Sequence, residues 1–109
     1  MAKTIISAFH NPQVAARVLN SAVSGGFDLR LFSLITPKRD ESVAGLDTAI
    51  KGVPSISARL YKQALKKGES LLVARIPESE VKRLISLFQA AGGNHIEAFD
   101  YSASSQKNH

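Results

Sequence analysis

The chain has 109 residues, enough for one domain that buries a core of its own. It has no cysteine, which excludes disulfides and thiolate chemistry, and no stretch approaches the roughly 20 apolar residues of a membrane helix. Fourteen Lys and Arg against nine Asp and Glu leave a formal charge of +5, which permits an anionic partner without demanding one. The apolar run near the amino terminus is too short for a signal peptide, so the expectation is a soluble, cytoplasmic protein without membrane insertion.

Lys3 to Phe9 is apolar and β-branched and reads as a strand. Asn11-Pro12 opens a helix, with Asn as N-cap and Pro at the first helical position. Val14, Ala15, Val18, Leu19, Ala22 and Val23 follow at helical spacing, and Gly25-Gly26 closes the helix through a left-handed cap. Asp28 to Ile35 reads as a second strand, with Leu29 and Leu31 to one side and Arg30, Phe32 and Leu34 to the other. Thr36 to Val53 is irregular. Its first part, Pro37 to Ser42, is a charged loop, and Val43 to Ile50 fits a short helix or an ordered loop equally.

Pro54 to Lys67 reads as a helix capped by Ser55 or Ser57, with Ile56, Leu60, Ala64 and Leu65 on its apolar face and Gly68 at its end. Ser70 to Ile76 has the apolar run of a buried strand. Pro77-Glu78-Ser79-Glu80 opens another helix with acids at the positive end of the dipole, and Val81, Leu84, Ile85, Phe88 and Ala91 form its stripe. Gly92-Gly93 closes it. His95 to Tyr101 is the last strand, and 102–109 is a polar, frayed tail.

These elements repeat. Shifted by 67 positions, Ile5-Ile6-Ser7-Ala8-Phe9 falls on Leu72-Val73-Ala74-Arg75-Ile76, Val14 on Val81, Val18 on Ile85, Gly25-Gly26 on Gly92-Gly93, Leu29 on Ile96 and Phe32 on Phe99. Each copy, about 4–35 and 70–101, is strand, helix, glycine pair, strand, and 36–69 is an insertion between them. A strand-helix-strand unit cannot bury both its helix stripe and its sheet face alone. Two units that interleave their strands do so as an α+β, ferredoxin-like split βαβ sandwich: a four-stranded antiparallel sheet in the order 4-1-3-2, with two helices on one face. Two βαβ units in a mostly parallel sheet are the runner-up, disfavoured because each glycine pair makes a tight link. The other sheet face is left for water, a partner or the inserted helix. Phe9, Phe32 and Phe99 either fill the core under the helices or mark that open face as an interface.

The residues also carry a family likeness. Phe9-His10-Asn11-Pro12-Gln13-Val14-Ala15 with Gly26-Phe27-Asp28, then Gly52-Val53-Pro54, Ala58-Arg59-Leu60-Tyr61, Gly68 and Leu72-Val73, and finally Ala90-Ala91-Gly92-Gly93-Asn94-His95-Ile96, resemble the YflT-like general stress proteins. The likeness covers nearly the whole chain except the tail, through short motifs of common residues. It implies a bacterial, stress-linked protein of unassigned biochemistry and supplies no catalytic residues. The family often carries a long glycine- and alanine-rich hydrophobic stretch before its Gly-x-Pro segment. Thr36 to Lys51 is short and charged instead, so membrane-associated behaviour is not carried over.

Several constellations bear on function. In a 4-1-3-2 sheet the end of the first strand neighbours the start of the last, which brings His10 towards His95. Two imidazoles bind a transition metal only with further ligands, and the sequence places none; Glu97 and Asp28 are guesses, and the metal reading ranks below two solvated histidines. The glycine pairs follow helices rather than precede them, so they cap and do not cradle phosphate. Lys51, Arg59, Lys62, Lys66 and Lys67 form the most basic stretch, with Tyr61 beside it; a solvated face outweighs nucleic acid or another polyanion as its reading. The third strand has no aromatic residue, against RNA reading by this fold. No nucleophile motif or carboxylate pair points to an enzyme, and no cofactor is implied. The sequence therefore points to a non-enzymatic interaction module, a homodimer through the open sheet face or an edge strand. A nucleic-acid binder and a small-ligand sensor are the alternatives.

Overall fold

The structure, a computed structural model, describes residues 2–36 and 53–100. Strand β1 (Ala2–Phe9) leads to helix α1 (Pro12–Ser24), a 3-10 turn at Leu29–Leu31 and strand β2 (Phe32–Ile35). After helix α2 (Ser55–Lys66), strand β3 (Ser70–Pro77), a 3-10 turn at Glu78–Glu80, helix α3 (Val81–Ala90) and strand β4 (Asn94–Asp100) complete the order. The sheet order is β2-β3-β1-β4, which is 4-1-3-2 read from the β4 edge, and every neighbouring pair is antiparallel. The fold is the ferredoxin-like split βαβ, with α1 and α3 on one face. Residues 43–50 and the tail lie outside the described residues.

Strands β1 and β3 pair along their whole lengths, from Ala2 opposite Pro77 to Phe9 opposite Ser70. Both faces of this central pair are covered, so its residues are buried continuously rather than alternately. Towards α1 and α3 point Ile5, Phe9, Leu72, Ala74 and Ile76, packed with Val18, Ala22, Leu84 and Phe88. The Phe9 and Phe88 rings meet edge to face, 5.5 Å between centres. Towards α2 point Ile6, Ala8, Ile35, Leu71 and Val73, packed with Tyr61, Ala64 and Leu65. The face left open by a bare split βαβ is therefore occupied by the inserted helix.

The three helices among the described residues stop by one device. Phe27, Glu69 and Gly93 amides donate to the carbonyls of Ala22, Ala64 and Phe88, while Gly26, Gly68 and Gly92 amides donate to Val23, Leu65 and Gln89. These six-residue and four-residue closures form the Schellman motif, with the three middle glycines at φ of 105°, 96° and 85°. At its other end α1 starts as the sequence implies: the Asn11 side-chain oxygen accepts from the Val14 amide at 2.9 Å, and Pro12 occupies the first turn.

Three local readings are corrected. Asp28–Leu31 is not strand: the Asp28 carboxylate accepts from the Arg30 amide at 2.9 Å, a side-chain bond that holds a turn and shortens β2 to four residues. Helix α2 has no side-chain cap from Ser55 or Ser57, because it begins directly after Pro54. Its buried face also runs through Tyr61, Ala64 and Leu65, while Ile56 is 80% exposed. The Tyr61 ring fills the space above the sheet, and Ile56, five positions earlier, then lies about 140° around the helix.

Candidate functional site

The sheet has two edges of different character. The β2 edge comprises Phe32-Ser33-Leu34-Ile35, with no charge, no proline and no bulge. Just before it runs the 3-10 turn. Five large apolar side chains are exposed among the described residues, and three of them, Leu29, Leu31 and Leu34, fall on this short stretch at 56%, 36% and 38% exposure. A small pocket of about 150 Å³ opens beside the strand between Arg30, Leu31, Ser33, Val73 and Arg75. In front of it, Arg30 is paired with Asp28 at 2.8 Å, a bond that holds the Asp28 carboxyl below its ordinary range and the guanidinium above its own.

The β4 edge is blunted. Its register with β1 slips between Ile6 and Ala8, and His95 there adopts a left-handed backbone with φ 53°. Bulges and charged side chains are the devices by which sheets discourage edge pairing. Glu97 and His95 lie in this strand, and Tyr61 reaches across to both: its hydroxyl donates to the His95 carbonyl at 2.7 Å and approaches Glu97 Oε1 at 3.4 Å. Burial first, then the Glu97 charge and hydrogen bond, raise the tyrosine's pKa well above its ordinary value.

Tyr61 is thus a core residue, fully buried, and offers no ring to a nucleic-acid base. Arg59, Lys62, Lys66 and Lys67 are exposed on the outer side of α2. Arg59, Lys62 and Lys66 follow at intervals of three and four, which aligns them along one face. Lys51 lies outside the described residues. Phe9 is fully buried beneath α1 and α3, and Phe32 packs half-buried on that same side, its ring edge-to-face with Phe27 at 6.1 Å. Phe99 alone of the three lies on the opposite face, against the cluster under α2. His10 and His95 are both exposed near the facing ends of β1 and β4, where Ala8 pairs with Asn94. Among the described residues no group of three or more His, Asp or Glu is placed to hold a metal ion. None of the described helices is long and apolar enough to cross a membrane.

No family model, curated protein or solved structure matches the chain.

Two features escaped the sequence reading. One is a clamp in which Arg83 of α3 ties down the end of α1. The other is a groove between α1 and α3, about 440 Å³, lined in part by Arg17. The spacing of Glu80 and Arg83 was a signal for the first, since side chains three apart on a helix meet. The groove had none, because it arises from what two helices fail to fill.

Proposed function

We propose that the protein is a non-enzymatic interaction module that pairs with a second copy of itself along the β2 edge. The observation that carries this reading is the concentration of exposed leucines on and before an unblunted edge strand. An edge presents a row of backbone donors and acceptors, and antiparallel pairing with its own copy about a two-fold axis satisfies them. The same operation sets apolar side chains against apolar side chains. The opposite edge, with its bulge and charges, does not favour such pairing.

A bacterial and stress-linked setting rests on the resemblance to the YflT-like general stress proteins. Size-exclusion chromatography with light scattering tests the dimer. The expected result is twice the chain mass, reduced to a monomer by Leu34→Lys, since a lysine on an edge strand opposes pairing. A wild-type chain that is monomeric at every concentration rejects the reading.

A second reading, polyanion binding, is favoured by the outer face of α2, where Arg59, Lys62 and Lys66 are exposed in one line beside Lys67. Titration with a nucleic-acid duplex at two salt concentrations tests it. Binding that weakens steeply with salt supports it, and no binding at the lower salt removes it.

A further inference from the structure

The two halves are related by an internal two-fold axis. Ile6 and Val73 are counterparts in the repeat and also pair directly across β1 and β3, so the axis passes between them. The two ends of the α1–α3 pair are exchanged by this axis, yet their contents differ. At one end Arg83 is engaged in three ways. Its Nε donates to Glu80 Oε1 at 2.9 Å, its Nη1 donates to the Gly25 carbonyl at 2.8 Å, and its guanidinium lies 4.2 Å from the centre of the Phe27 ring.

The helices themselves superpose at a shift of 66. Buried Val18 and Ala22 then match buried Leu84 and Phe88, and the cap glycine Gly26 matches Gly92. On that alignment the counterpart of Arg83 is Arg17, that of Glu80 is Val14, that of Gly25 is Ala91, and that of Phe27 is Gly93. The second end keeps the arginine and loses both the carboxylate and the ring. The groove lies there, lined by Val14, Arg17 and Ser21 of α1, by Leu87 and Ala90 of α3 and by Ala91 at its C-cap. The Arg17 side chain makes no hydrogen bond or ion pair with any described residue, and no acid among the described residues lines the groove.

We propose that this groove binds a small aromatic carboxylate. The ligand's carboxylate takes the place that Glu80 holds at the other end, against the Arg17 guanidinium; its ring takes the place of Phe27. A guanidinium recognises a carboxylate through paired hydrogen bonds and an aromatic face through its charge, so both halves of the ligand address one side chain. Ser21, one helical turn after Arg17, adds a hydroxyl on the same rim. Valine, leucine and alanine walls suit the apolar body, and a volume of about 440 Å³ falls in the range of small-molecule sites. This gives the sensor alternative a ligand class, and it is independent of the β2 edge.

The test is a titration of the full chain with 3-phenylpropionate, followed by amide NMR shifts. Saturable shifts confined to the groove are expected, absent with 3-phenylpropylamine and weakened about tenfold or more by Arg17→Gln. Val14→Glu places a carboxylate where Glu80 stands in the other half; it is expected to engage Arg17, block the ligand and leave the melting temperature unchanged or higher. No saturable shift at about 10 mM ligand overturns the proposal, that concentration lying well above any useful affinity. So does equal binding of the amine, or affinity unchanged in Arg17→Gln.

Discussion

The first half of the chain and the second follow one plan with different spacing, and the differences fall where constraint is weakest. The central strands β1 and β3, buried on both faces, hold the shift of 67: Ile6 stands opposite its own counterpart Val73. The helices above them have slipped to 66. The outer strands have slipped further, to 64, since Ile35 pairs with Leu71 as Phe99 pairs with Thr4, and Leu71 and Thr4 are counterparts. The first half uses its extra residues in the 3-10 turn Leu29–Leu31, which leaves β2 four residues long and its leucines in water. The second half passes straight from Gly93 into the seven-residue β4. Compact closure on one side and slack on the other come from insertions that a central strand does not tolerate and an edge does.

The sharpest break of this comparison is at the glycine pairs. A Cβ on Gly93 would run into the Ser7 hydroxyl and stand 3.1 Å from both the Phe88 carbonyl and the Phe9 ring. None of these is free to move, since Ser7 donates to the Asn94 carbonyl at 3.2 Å and Phe9 is core. Gly93→Ala is expected to cost about 3 kcal/mol in urea unfolding, the range of overpacked cores. In the first half Gly26→Ala meets no atom within 4 Å, and only its φ of 105° opposes a side chain, so about 1 kcal/mol is expected. Equal costs would mean that the two turns are equally loose.

Tyr61→Phe comes next. It leaves the partly buried hydrogen bond to the His95 carbonyl without its donor, at an expected cost of about 1 kcal/mol. The sign of the pH effect follows from the raised pKa. The folded state holds the neutral phenol where the unfolded chain begins to ionise, so this contribution is intact below pH of about 10 and is lost as pH rises beyond it. Melting temperature followed from pH 8 to 11 checks this: the wild type is expected to fall more steeply than Tyr61→Phe.

The architecture was legible because it rests on patterns that any stretch of sequence displays. Asn11-Pro12 announced a helix start, the glycine pairs announced two helix ends, and the apolar runs of β1 and β3 announced the sheet's centre. What was not legible depended on partners distant in the chain. Helical spacing gives Ile56 the same standing as Leu65, and only the sheet below, with the Tyr61 hydroxyl anchored on β4, sets which side of α2 faces inward. Asp28 read as the start of a strand because a local side-chain bond competes with the ladder without altering the apolar pattern. The groove was invisible for another reason: aligned at 67, Arg17 falls on Leu84, and only the one-residue slip of the helices reveals Arg83 as its counterpart.

His95 sharpens the contrast between the edges. Its left-handed backbone, at φ 53°, is strained for most side chains and free for glycine. Since its carbonyl and not its ring is used by Tyr61, His95→Gly is expected to be neutral or to stabilise by roughly 0.5 kcal/mol, and His95→Val to destabilise by about 1 kcal/mol. A larger loss with glycine than with valine would assign the imidazole a role of its own.

The smallest effect is expected at the turn that shortens β2. Asp28 is exposed, and its carboxylate serves the Arg30 amide and the Arg30 guanidinium at once. Solvent and salt weaken such a pair, so Asp28→Ala should lower the melting temperature only slightly. The direction with pH is nonetheless definite. The folded carboxyl titrates below its unfolded value, chiefly through the side-chain bond to Arg30, so its contribution is present above pH of about 4 and vanishes as pH falls through the lowered value. Wild type and Asp28→Ala should therefore converge on acidification. If the 3-10 turn is what keeps residues 28–31 from joining the sheet, removing the carboxylate also frees them to extend β2, and amide exchange at Leu31 should slow as it gains a partner on β3. Faster exchange would mean that the turn only frays, and that the short strand is set by β3 rather than by Asp28.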